Sequence, residues 1–174
     1  MKVYVFLDED NFCTGWGSNK EENSIELEIK DESILAGIRK YKYINGQIIY
    51  DETKALIEAK ESKEVKATKK YEENMIKGVA ITILGMDLVY PYDDERKDYL
   101  NKSYELSKDN LISEAYFTFK NGNDDIALNL SKVNIYELWL LSFIHEEKCK
   151  KELFATKSLI NHAQSLKEIQ EIKI

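Results

Sequence analysis

The chain has 174 residues, with 43% apolar and 33% charged side chains and a net charge of −7. This is the balance of a folded domain with a densely charged surface, and it excludes a disordered chain. The negative total repels phosphate backbones on average, so nucleic acid is not expected as a partner. No run approaches the ~20 apolar residues of a membrane span, and the opening MKVYVFLDEDNF turns acidic too early for a secretory leader, so neither membrane nor export is expected.

From the N-terminus, Val3, Val5 and Leu7 alternate with Lys2, Tyr4 and Phe6, which predicts a strand. Asp8 to Asn11 reads as a turn and Phe12 to Trp16 as a second short strand, closed off by Gly15 and Gly17. Ile25, Leu27 and Ile29 alternate again. Asn45-Gly46 lies between YKYI and QIIY, the strongest short signal for a tight hairpin. Residues 1–50 are therefore expected to form a small antiparallel β module.

Residues 51–76 lack glycine and proline and are rich in Glu, Lys and Ala, which predicts a charged connecting helix with Asp51 as its N-cap. Its sparse apolar positions, Leu56, Val65 and Tyr71 among them, offer only a narrow seam. Residues 77–174 are expected to form an α+β domain. VAITILGMDLVY suits a buried strand, or two short ones divided at Gly85. Asp93 and Asp94 after Pro91 open a helix through about Leu106, with acids at the positive end of its dipole. AYFTFKNGNDDIALNL reads as a second hairpin around Asn121-Gly122, with a loop longer than two residues. Asn134 with Glu137 resembles a reciprocal cap. Beyond it Leu138, Leu141, His145, Cys149, Leu153, Thr156, Ile160 and Ala163 recur every three or four residues, as one long helical face or two helices broken near Lys151. Ser165 and Glu168 have capping-box spacing and start a last short helix. The fold class expected is α+β.

Reactive residues are few and scattered. His145 and Cys149 share a helix face, but His162 and Cys13 are the only other residues of their kinds, and no Cys-x-x-Cys or His-Glu-x-x-His spacing exists. Asp8, Glu9 and Asp10 lack the alternation of a calcium loop; Asp93-Asp94-Glu95 and Asn123-Asp124-Asp125 are explained by a helix start and a hairpin tip. No phosphate-binding glycine loop or nucleophile elbow is present. No cofactor, metal or catalytic residue is expected, and a small metal-dependent hydrolase is the remote alternative. Eleven tyrosines ask a different question, because an apolar ring with a wet hydroxyl suits interfaces. Tyr41, Tyr43, Tyr50, Tyr90 and Tyr92, with Leu56, Val65 and Tyr71 on the charged helix, are the candidate contact residues.

Several segments carry a resemblance. YPYDDERKDYL, FTFKNGNDDIALNLSK, NIYELW and HEEKCKKELFATKSLINHAQSLKEI together resemble a domain of unknown function common in tail-fibre-region proteins of phages and prophages. YKYINGQIIYDETK is similar to short β modules of phage proteins. The resemblance implies a non-enzymatic structural or attachment protein of a bacteriophage tail or phage-like particle, at the baseplate or fibre. The alternative is a fibre-assembly chaperone that leaves the finished particle. It implies tail proteins as partners, a homo-oligomer, and synthesis in the host bacterial cytoplasm.

Overall fold

The computed structural model describes residues 1–174 and shows an α+β protein. Two compact units divide the chain: residues 1–64 with 159–173, and residues 65–158 with Ile174. This differs from the expected boundaries after residues 50 and 76. The long charged helix contributes to both units, and residues 159–173 group with the N-terminal unit. One tie that sequence separation hides is the Lys60 Nζ donation to the Asn161 carbonyl at 2.9 Å, across 101 residues.

In the N-terminal unit, β1 (Lys2–Leu7) runs between β2 (Cys13–Gly17) and β3 (Ser24–Glu28), antiparallel to both. The second strand begins one residue later than expected. Phe12 instead makes an isolated bridge to Lys42, which links this sheet to the hairpin of β4 (Tyr41–Ile44) and β5 (Gln47–Tyr50). The hairpin turns on Asn45 and Gly46, whose φ angles of 50° and 89° are both positive, as a type I′ turn requires. A 3-10 stretch, Glu32–Lys40, fills the interval that alternation left unassigned. Asp31 caps it by accepting from the Ser33 amide, and Leu35 and Ile38 bury against Val3, Val5, Cys13 and Ile29.

The helix α1 (Glu52–Ile76) starts where expected: Asp51 accepts from the Lys54 amide at 2.7 Å. After it, Gly78 takes φ +82°, a left-handed position where a β-carbon would also strike the Tyr90 carbonyl, so only glycine fits.

The second unit is built on a four-stranded antiparallel sheet in sequential order: β6 (Val79–Ile83), β7 (Met86–Tyr90), β8 (Glu114–Asn121) and β9 (Asp124–Ser131). The apolar run is thus a hairpin divided at Leu84-Gly85, as one of the two expected forms had it. The second hairpin corrects its expected loop. Asn121 pairs with Asp124, leaving Gly122-Asn123 as a two-residue loop, because Asp124 and Asp125 extend the strand. Period-two alternation puts Val79, Ile81, Ile83, Leu88, Tyr90, Phe117, Phe119 and Leu130 into one core, joined by Leu100 of α2 (Asp94–Lys108) and Ile135 and Leu138 of α3 (Lys132–His162).

Asp93 caps α2 through the Arg96 amide at 2.9 Å. The start of α3 departs from expectation: Ser131 Oγ receives the Asn134 amide at 3.5 Å and donates to Asn134 Oδ1 at 2.9 Å, so Ser131 is the capping residue rather than Asn134. The helix then continues unbroken past Lys151, and α4 (Leu166–Glu171) begins at Ser165, whose Oγ accepts the Glu168 amide at 3.2 Å. No helix is long and apolar enough to cross a membrane.

Candidate interaction surface

The first half of α3 is apolar on two opposite sides. Ile135 and Leu138 face inward and are fully buried. On the other side Val133 is 73% exposed, Tyr136 51% and Phe143 52%, with Leu140 and Ile144 also open to solvent. An ordinary surface helix carries one apolar stripe against its core and polar residues elsewhere. Here the outer positions of VNIYELWLLSFI hold one charged residue, Glu137, among five large apolar side chains.

Aromatic rings steady this outer face. The Trp139 indole stacks on Tyr104 of α2 with centroids 4.2 Å apart and planes 11° off parallel, and Phe143 lies 6.0 Å from Trp139 in a second near-parallel layer. Tyr136 continues the cluster 6.1 Å from Tyr104. The indole N–H donates to Asn101 Oδ1 at 3.2 Å, fixing the ring plane. Such contacts hold large apolar side chains in place with little entropy left to lose on docking, which favours binding.

Beside the stack lies a crevice of about 190 Å³ whose floor is charged. Glu146 sits there with its side chain 13% exposed, 2.8 Å from Lys97 Nζ and 2.8 Å from Lys150 Nζ, while the Tyr92 hydroxyl donates to it at 3.1 Å. Burial opposes the charge on Glu146, but the bonds from Lys150, Lys97 and Tyr92 outweigh it and hold the carboxyl at about 2. The same arrangement raises the Tyr92 hydroxyl, chiefly through burial and secondarily through Glu146. Ser142, buried at the crevice wall, has no hydrogen-bond partner for its hydroxyl within the protein.

The residues expected to carry contacts fall differently. Tyr90 is 1% exposed and Tyr92 6%, so both are corrected from contact residues to core residues. The Tyr90 hydroxyl donates to the Arg96 carbonyl at 2.8 Å, and its ring packs against Phe117 and Phe119, so Pro91 is flanked by inward-pointing tyrosines. Tyr41 and Tyr50 are a cross-strand pair in edge contact at 5.5 Å, Tyr50 exposed and Tyr41 half-buried; Tyr43, opposite Ile48, is half-buried. On α1, Val65 is exposed while Leu56 and Tyr71 are half-buried. Tyr41, Tyr43, Tyr50 and Leu56 belong to the N-terminal unit, and Val65 and Tyr71 to the other.

The outer residues of α3 escaped the sequence reading because only one apolar face was traced there. The signal was present: in IYELWLLSFI almost every position is apolar, which a single stripe cannot absorb.

His145 Nε2 lies 3.9 Å from Cys149 Sγ, but burial raises the Cys149 thiol, which works against the thiolate a nucleophile or a metal ligand needs. Cys13 is likewise pushed up to about 11, by burial and then by Asp8. No group of three or more His, Cys, Asp or Glu side chains is placed to hold a metal ion. What the fold and surface define is an α+β protein with a preorganised apolar face on one helix. Comparison with protein-family models, with characterised proteins and with solved structures finds no match to this chain.

Proposed function

We propose that this chain is a non-enzymatic protein that works by contact with other proteins, as a structural or attachment component of a bacteriophage tail or phage-like particle. The observation that carries the contact role is the outer face of α3, where Val133, Tyr136, Leu140, Phe143 and Ile144 stand exposed opposite a fully formed core. Contiguous apolar surface of this kind on a charged protein is the signature of a covered site. The placement in a tail rests on the resemblance of YPYDDERKDYL, FTFKNGNDDIALNLSK and NIYELW to tail-fibre-region proteins.

The test is composition. Particles purified from the producing host should contain the chain in fixed stoichiometry. Its presence with fibre proteins in lysates but absence from finished particles would move it to assembly chaperone. Absence from both would end the tail reading. A Phe143→Ser chain that enters particles as well as the native one would detach the contact role from α3.

A further inference from the structure

We infer that the outer face of α3 seats a second copy of this chain, with the two helices packed antiparallel about a two-fold axis. This rests on the contact role proposed above and names the partner. The argument starts from spacing. Val133, Tyr136, Leu140 and Phe143 are separated by three, four and three residues, the alternation that keeps side chains on one seam of a paired helix. That order reads the same in both directions. Turning one helix end for end therefore lays the stripe on itself, Val133 against Phe143 and Tyr136 against Leu140, each pairing occurring twice. A two-fold interface requires this self-complementarity, in which residue i meets j and j meets i.

Charge selects the same orientation. Lys132 opens the stripe and Glu147 follows its far end, both exposed. In the antiparallel pairing Lys132 stands level with Ile144 of the other copy, and Glu147 lies three residues on, about 4.5 Å further along the axis, within reach of a lysine side chain. Each Glu147 also approaches the positive end of the opposing helix. A parallel pairing in register would set Lys132 against Lys132 and Glu147 against Glu147, which repel. The stripe spans only about 15 Å along the helix, so the interface is short and its affinity falls at the weak end of specific pairs.

Sedimentation equilibrium of the full chain, from nanomolar to high-micromolar concentration, reads this directly. A mass rising to twice 20.3 kDa is expected. Leu140→Glu, at an exposed position, should return the mass to that of one chain with its helical circular dichroism intact. Cysteines report orientation on a non-reducing gel. Val133→Cys alone should stay monomeric on oxidation, whereas Val133→Cys with Phe143→Cys should give a covalent dimer. Lys132→Glu should weaken the dimer several-fold, and Lys132→Glu with Glu147→Lys should restore it. A single-chain mass at every concentration would overturn the proposal, as would a dimer that Leu140→Glu leaves intact or that Val133→Cys alone cross-links. The wider contact role fails separately, when Phe143→Ser leaves incorporation into particles unchanged.

Discussion

The two sides of the first half of α3 carry similar residues and meet opposite fates. Ile135 and Leu138 are sealed against the sheet, while Leu140, Phe143 and Ile144, within the next two turns of the same helix, stand in water. Composition does not separate these sides; the neighbours that α2 and the sheet supply do. An inward Leu belongs to folding, and an outward Leu beside a stacked Trp and Tyr is the one we propose for association. Substitutions on each side should therefore split stability from assembly.

The largest effect belongs inside. Leu138→Ala should lower the unfolding free energy by about 3 kcal/mol through lost burial and the cavity left behind, measured by urea denaturation of the dilute chain. An effect no greater than that of an outer-face substitution would abolish the distinction.

The charged crevice between the sides is the next test. The Glu146 carboxyl is held at about 2, below its ordinary 4.5, so its contribution is fully present above that ordinary value and is lost as pH falls through about 2. The full equivalent of this displacement is about 3 kcal/mol; with solvent screening of the exposed Lys150 partner the chain should lose about 1–2 kcal/mol of stability from this group over that window, and Glu146→Gln should flatten that part of the profile. An unchanged profile in Glu146→Gln would show that Lys97 and Lys150 do not hold the carboxylate in solution.

Ser142 sharpens the boundary from the inner side. With no partner for its hydroxyl inside the protein, Ser142→Ala should stabilise by about 0.5–1 kcal/mol. Destabilisation would mean that the hydroxyl has a role the fold depends on. Outside, Phe143→Ser should change the unfolding free energy of the dilute monomer by less than about 0.5 kcal/mol, seen as an unmoved urea midpoint.

The local elements were legible where their chemistry is local. Asn45-Gly46 supplies two positive φ angles, Asp51, Asp93 and Ser165 cap helices, and the apolar run from Val79 to Tyr90, divided at Gly85, marks strands of the sheet. The capping residue of α3 was displaced to Ser131, three residues before Asn134, because a strand runs directly into the helix and leaves no loop to mark the start. The grouping of residues 159–173 with the N-terminal unit, within which Lys60 bonds to Asn161, joins segments far apart in sequence, which no local pattern announces. The site was the least legible part. A tyrosine's identity does not say which way it points: Tyr90 and Tyr92 turned inward, and Tyr136 outward.

Photo-cross-linking from position 143 tests the central claim most directly. With Phe143 replaced by benzoylphenylalanine in the full chain, made in the cells that naturally produce it, illumination should yield a discrete protein adduct. The same replacement at Phe154, exposed among the charged residues of the second half of α3, should not. Equal labelling from both positions, or no adduct from position 143, would contradict a contact face on α3.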